Sequence, residues 1–455
     1  MNWMHFSLEV RMAKPLLCLA FFCASLWWVA VAASAAGLRL ELTHIDAKNC
    51  RTGEERVRRA IERTRRRLAS MGGGVAAPVR WSETQYVAEY LIGDPPQLSE
   101  AIVDTGSDLV WTQCAACRPG CFGQDLPYYN SSRSRTAQAV PCDGAVCAVA
   151  SPETRCGTRG GGGRACTVVV RYAAGDIAGL LGTEVFTFRS EKVRLAFGCV
   201  TASRLTPGSL DGASGIIGLG RGALSLVSQL RDTKFSYCLT PYSRDAAVHP
   251  SHLFVGASAG LNGGDAPVTS VPFAENPKEY PFSSFYYLPL VGMTVGSARL
   301  AVAAAAFGLR QVATGVWAGG VVIDSGSPFT SLVDAAYQAL RSELVRQLGA
   351  SLVRPRIEGL DLCVARGDAG GVVPPLVLHF GGGGGDVVVP PENYWGSVDA
   401  ATECMVLFNA AARPGATLPL NETTIIGNYM QQDKHLLYDL GNGVLSFQPA
   451  DCSSM

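Results

Sequence analysis

The chain has 455 residues, of which 48% are hydrophobic and 17% charged, so it can bury a large core and is too apolar to be disordered. At about 100–200 residues per domain, the length points to two or three domains. Lys plus Arg and Asp plus Glu both total 38, which excludes a nucleic-acid binder built on a basic surface; even so, residues 1–79 carry 12 basic and 6 acidic side chains against 26 and 32 in residues 80–455.

Pro15 to Ala35 is uncharged, follows Arg11 and Lys14, and ends in Ala33-Ser34-Ala35, the small-residue pattern of a secretory signal cleaved near Ala35 or Ala36. An uncleaved anchor is the alternative, since about 20 apolar residues span a bilayer. No later run is long and apolar enough to span, and Pro449–Met455 lacks the tail of a lipid-anchor signal. Residues 1–36 are assigned to a signal peptide, and a soluble secreted or vacuolar protein, without membrane contact after cleavage, is expected. Residues 37–79 hold 10 basic and 5 acidic side chains. Within them Glu54–Arg63 is rich in helix formers and predicts a basic helix that breaks at Gly72-Gly73-Gly74.

From Tyr86 the pattern changes to short apolar runs bounded by Gly, Pro, Asp and Ser: Tyr86–Ile92, Leu98–Val103, Val168–Tyr172, Val193–Phe197 and Leu253–Val255. An all-β fold is expected, with short helices at Leu224–Leu230 and Asp334–Leu348. Of fifteen cysteines, Cys18, Cys23 and Cys50 lie in the leader, which leaves twelve, an even number suited to disulfides in an oxidising compartment. Cys114, Cys117, Cys121, Cys142, Cys147, Cys156 and Cys166 crowd into an insertion; Cys199, Cys238, Cys363, Cys404 and Cys452 are scattered. Cys114-Ala115-Ala116-Cys117 has no second pair at zinc spacing, so a structural role is preferred and no metal is expected. Asn130-Ser131-Ser132 and Asn421-Glu422-Thr423 are glycosylation sequons.

A two-part signature then occurs twice. Ala101-Ile102-Val103-Asp104-Thr105-Gly106-Ser107 is echoed by Val321-Val322-Ile323-Asp324-Ser325-Gly326-Ser327, and each is followed by an apolar pair closed by glycine, Ile216-Ile217-Gly218 and Ile425-Ile426-Gly427. Two accidental matches to the first part arise in about one chain in ten thousand of this length. Two related lobes follow, joined between Thr240 and Ser283. An Asp placed at the end of a buried strand, before a hydroxyl-Gly-hydroxyl turn, is held by backbone N–H groups and side-chain donors. Two such aspartates meeting at one site do not both ionise readily; one then serves as base toward a water and the other as acid toward a carbonyl, which hydrolyses an amide without metal, cofactor or covalent intermediate.

These motifs resemble those of the plant pepsin-like aspartic proteases, nepenthesin-like branch, over the whole chain. The resemblance implies a bilobal all-β acid-protease fold, with an N-terminal lobe at 80–245 that carries the Cys-rich insertion 114–166 and a flap, and the linker and C-terminal lobe at 246–455. It implies Asp104 and Asp324 as the catalytic dyad, Ser107 and Ser327 on its outer oxygens, and Thr105 and Ser325 bonded between lobes beneath it, with Gly106 and Gly326 in the turns. Tyr172 is the implied flap tyrosine and Trp111 its support. The flap departs from the usual Tyr-Gly-Asp-Gly-Ser, reading Tyr172-Ala173-Ala174-Gly175-Asp176, and Ser327-Pro328 stands where Thr is usual.

The implied disulfides are Cys114–Cys117, Cys121–Cys199, Cys142–Cys166, Cys147–Cys156, Cys238–Cys452 and Cys363–Cys404. The implied protein is a zymogen-derived monomeric endopeptidase of the apoplast or vacuole. It would act on protein or peptide substrates, with a preference for hydrophobic residues, and bind pepstatin-like inhibitors. Its basic prosegment (37–79) would lie over the acidic cleft as an intramolecular inhibitor, leave as carboxylates protonate below roughly pH 5, and be cut between Arg67 and Arg80. The alternative is a non-catalytic binding protein on the same scaffold, resembling plant xylanase inhibitors. A serine-hydrolase elbow at Gly256-Ala257-Ser258-Ala259-Gly260 is disfavoured because Leu261-Asn262-Gly263-Gly264 cannot continue as a helix. The six histidines lack metal spacing, and His379 reads as a turn-flanking surface residue.

Overall fold

Along Leu38–His44 the side chains of Leu38, Leu40, Leu42 and His44 are buried while Arg39 and Glu41 face out, the period-two pattern of a half-buried strand. This leader strand lies antiparallel between Tyr86–Ile92 and Ser251–Val255, so residues 38–44 are built into the central sheet. Of the basic helix expected at Glu54–Arg63, Glu55 and Val57 are helical, with Val57 buried, and the other residues lie outside those the structure describes.

The computed structural model describes residues 37–45, 55, 57, 85–117, 120–150, 152–158, 163–172, 174–206, 209–242, 250–261, 265–356, 359–412 and 419–455. The signal segment expected at 1–36, the triglycine at 72–74 and the cleavage region expected at 67–80 lie outside these residues. Among the described residues a 15-stranded sheet begins with Thr269–Pro272 and Val444–Pro449, passes through the leader strand, and continues to the paired strands Arg164–Tyr172 and Gly175–Phe188. Four smaller sheets complete the C-terminal half. The architecture is all-β and bilobal, as expected.

Both halves of the internal repeat build one arrangement. Gln97–Asp104 runs parallel to Gly215–Gly218, with Asp104 opposite Gly218, and Val321–Ile323 runs parallel to Thr424–Ile426. Each apolar pair thus supports the strand that ends in the aspartate. The closing glycines allow close passage, since a Cβ on Gly218 would lie 2.3 Å from the Asp108 backbone and one on Gly427 2.5 Å from that of Phe329. The expected helices form at Leu226–Leu230, where the Ser225 hydroxyl caps the Ser228 N–H, and at Asp334–Leu348. The second buries Ala336, Tyr337, Leu340, Leu344 and Leu348 at helical spacing. His379 does flank the turn, one residue before the end of the strand Leu376–Phe380, but it is half-buried rather than a surface residue and bonds Thr294 and Asp386 on the flanking strands, each at 2.7 Å.

The cysteine pairing corrects the expectation in the insertion. Cys114 pairs with Cys199, because its strand runs parallel to Glu191–Ser203 with Thr112 opposite Cys199, which brings the two Cα atoms to 5.4 Å. The tight turn Ala115–Cys117 carries Cys117 to Gln113 and Cys121 instead, so Cys114–Cys117 and Cys121–Cys199 do not form. Cys117 and Cys121 are free thiols; burial, reinforced by Cys121, pushes the Cys117 thiol up to about 12. The short helix Ala145–Val149 turns Cys147 inward onto buried Cys166 and leaves Cys142 for exposed Cys156, in place of Cys142–Cys166 and Cys147–Cys156. Cys238–Cys452 and Cys363–Cys404 pair as expected, giving five bonds among the described residues. Cys238–Cys452 spans 214 residues, so replacing both by serine is expected to cost about 2–5 kcal/mol, read as a lowered Tm.

Candidate active site

Gln97–Asp104 is buried from Ser99 onward, and its packing delivers the Asp104 carboxylate to the floor of a cleft; Val321–Ile323, wholly buried, delivers Asp324. Both carboxyls are nearly enclosed, at 4% and 5% exposure. The turns hold them alike. The Gly106 N–H donates to Asp104 Oδ1 at 2.9 Å and the Ser107 hydroxyl to Oδ2 at 2.5 Å; Gly326 and Ser327 do the same for Asp324 at 2.8 and 2.5 Å.

Beneath the carboxylates the loops grip each other. The Thr105 N–H donates to Ser325 Oγ at 3.0 Å and the Ser325 N–H to Thr105 Oγ1 at 2.9 Å. In turn the Ser325 hydroxyl donates to Val103 O at 2.9 Å and the Thr105 hydroxyl to Ile323 O at 3.4 Å. Each carboxylate leans over the opposite turn. A Cβ on Gly106 would stand 2.8 Å from Asp324 Oδ1, and one on Gly326 2.1 Å from Asp104 Oδ1. The eight residues of the two motifs are therefore one constellation.

Several supports carry no flag in the motifs. Asn428 donates from Nδ2 to Ser325 O at 2.9 Å and from its N–H to Ser327 O at 2.7 Å; its place directly after Ile425-Ile426-Gly427 was the available signal. Gln431 Nε2 reaches Asp324 O at 3.3 Å, and Gln85 Nε2 donates to Gly326 O at 2.7 Å from 241 residues away, a separation that leaves no local pattern.

The aspartates open into a cavity of about 580 Å³. The tip of the hairpin expected as the flap lines it, with Tyr172 facing Gly175 across the turn and Gly175 taking the positive φ of 129°. The Tyr172 hydroxyl accepts a hydrogen bond from Nε1 of fully buried Trp111 at 2.7 Å. Burial first, then Glu153 and Asp104, holds the Tyr172 phenol well above its ordinary range, so it remains neutral. Tyr280, Phe282, Phe285, Tyr287 and Trp317 give the cavity an aromatic side. Of the sequons, Asn130 is half-exposed on the N-terminal lobe and Asn421 half-buried between the cavity-lining residues Pro419 and Thr423.

The family descriptions Xylanase inhibitor N-terminal and Xylanase inhibitor C-terminal match residues 86–257 and 285–449. Aspartic proteinase nepenthesin-1 of Nepenthes gracilis is 35% identical over 433 residues, covering 93% of this chain and 92% of that protein. The chain belongs to the plant pepsin-like aspartic protease family. Aspartic proteinase nepenthesin-2 of the same plant is 33% identical, with 92% and 91% covered, and Aspartyl protease family protein 2 of Arabidopsis thaliana is 33% identical, with 92% and 86% covered. Among solved structures, edgp aligns with a TM-score of 0.67 at 17% identity (92% and 96% covered) and soybean Basic 7S globulin with 0.63 at 15% (92% and 97% covered), a likeness of fold alone.

Around the site of this family member lie two further buried carboxyls. Asp108, 4% exposed, accepts from the Ser284 hydroxyl at 2.5 Å and the Gly222 N–H at 2.7 Å, yet burial still raises its pKa. Glu153, 6% exposed, accepts from the Tyr280 hydroxyl at 2.7 Å and is pushed up to about 7 by burial, with Asp108 adding to the rise. A carboxyl that titrates higher in the folded than in the unfolded state binds more protons when folded, so its contribution is lost as pH rises. Between about pH 4.5 and 7, Glu153 is expected to remove roughly 3 kcal/mol of stability. In Glu153→Gln this part of the decline should vanish from the pH dependence of urea unfolding.

Proposed function

We propose that the protein is an aspartic endopeptidase that hydrolyses peptide bonds at acid pH through a water activated between Asp104 and Asp324. The reading rests on the grip of Thr105 and Ser325, which sets two equivalently held carboxylates over one cleft. One carboxylate takes a proton from the water as the other gives a proton to the scissile carbonyl, and Ser107 and Ser327 fix their outer oxygens. The rigid loops supply the orientation, so no covalent intermediate is needed. Tyr172, supported by Trp111, closes over the bound peptide. The aromatic side of the cavity favours hydrophobic residues around the scissile bond.

In the same reading residues 1–36 direct secretion, to the apoplast or vacuole, and no described helix is long and apolar enough to cross a membrane. The enzyme acts as a monomer, glycosylated at Asn130 or Asn421, and 37–79 is its inhibitory prosegment, entering through Leu38–His44. The test is hydrolysis of a denatured protein by residues 37–455 after incubation at pH 3.5 and at pH 7, with and without pepstatin. Pepstatin-sensitive cleavage after acid treatment is expected. Absence of cleavage together with tight binding of a microbial xylanase would favour the inhibitor-like reading that the family descriptions name.

A further inference from the structure

One side of the cleft is formed by a single strap, residues 276–288, that crosses from one lobe to the other. Asn276 Nδ2 folds its start by donating to the carbonyls of Phe282, Ser283 and Phe285. On the N-terminal lobe the Ser284 hydroxyl donates to Asp108 and the Tyr286 hydroxyl to Leu219 O, at 2.5 and 2.7 Å. On the C-terminal lobe the Leu288 N–H donates to Val321 O at 2.8 Å, and the Ile323 N–H to Tyr286 O at 3.1 Å. The strap is thus fixed from Ser284 onward by at least four contacts.

Its earlier part is held differently. Tyr280, which lines the cavity beside the aspartates, is anchored at its hydroxyl by Glu153, from the Cys-rich insertion and 127 residues away in sequence. Glu153 is itself placed by the flap: its carbonyl accepts the Val169 N–H at 2.9 Å, from the strand that leads to Tyr172. The Tyr280 ring is therefore drawn back against the insertion by one side-chain bond at its tip.

We propose that Glu153 is a positioning residue that determines specificity: it clamps Tyr280 against the insertion and so keeps room in the cleft for a large apolar side chain on one side of the scissile bond. Without the clamp the ring is free to turn into the cavity, and a large side chain must displace it. The remaining anchors at Asp108, Leu219 and Val321 keep the strap in place, so the effect stays local. The inference rests on the endopeptidase reading for its substrate, a peptide, and is tested by binding as well as by turnover.

The experiment compares paired peptides with Phe or Ala at each position flanking the scissile bond, as cleavable substrates and as non-cleavable reduced-bond analogues, on the acid-treated full chain. In Glu153→Ala the preference for Phe over Ala is expected to fall about tenfold at one position, through KM and analogue Kd, with kcat within about twofold. Glu153→Gln, which keeps an acceptor for the hydroxyl, should retain the preference. Tyr280→Ala removes the ring, so adding Glu153→Ala to it should change nothing. Equal losses for Phe and Ala peptides, or an effect of Glu153→Ala that persists in the Tyr280→Ala background, would overturn the clamp. Analogue binding with these patterns but no hydrolysis by the unsubstituted protein would support the clamp and overturn the endopeptidase reading alone.

Discussion

Asp104→Asn and Asp324→Asn are each expected to lower kcat for peptide hydrolysis by roughly 10²–10⁴-fold. An amide has the size of the carboxyl and keeps one oxygen to accept the Gly106 or Gly326 N–H, while the Ser107 or Ser327 hydroxyl can turn to meet the new donor. The fold and the loop grip therefore survive, and only the proton transfers are lost. Because the two carboxylates take different parts in one step, the double variant should be little worse than either single one. Steady-state kinetics with a quenched peptide, alongside a Tm for each variant, measures this. Activity within tenfold of the unsubstituted protein in either variant would remove that residue from the chemistry.

Gly326→Ala should be nearly as damaging although it leaves every catalytic group in place. The added methyl would stand 2.1 Å from Asp104 Oδ1 and 2.6 Å from Asp104 Cγ, so the Asp104 carboxyl must shift by about 1 Å, away from its Gly106 and Ser107 donors. A displacement of that size costs about 10²-fold in rate. Gly260→Ala, with no atom within 4 Å of the new methyl, is the control and should change neither rate nor Tm. A Gly326→Ala enzyme with unchanged kcat would mean that the carboxylates are not held as close as the grip requires.

Much of this architecture is legible in the chain because local pattern and tertiary packing agree. Tyr86–Ile92 and Asp334–Leu348 form with the bounds their sequences suggest, since a short apolar run in one and helical spacing in the other match what is buried. The two Asp-hydroxyl-Gly-Ser turns were equally plain, each carrying its own donors. The leader strand is masked by composition: Leu38-Arg39-Leu40-Glu41-Leu42 alternates as a strand should, but it opens a basic segment whose strongest pattern is helical. Disulfide partners in the insertion depend on strand register and on one short helix, neither of which spacing encodes. Gln85, Glu153 and Tyr280 act across 127 or more residues and without a motif, so only the folded chain brings them to the cleft.

Asp104 and Asp324 are expected to hold the attacking water over the scissile bond together, as the proposed mechanism requires. A crystal structure of the acid-treated protein with a peptide bearing a tetrahedral hydroxyl in place of the scissile carbonyl tests it most directly, because the hydroxyl oxygen takes the place of that water. It is expected within hydrogen-bond distance, about 2.5–3.0 Å, of a carboxyl oxygen of each aspartate, with Tyr172 closed over the peptide. A peptide bound with its hydroxyl outside the reach of both carboxyls, or seated away from the cleft, would contradict it.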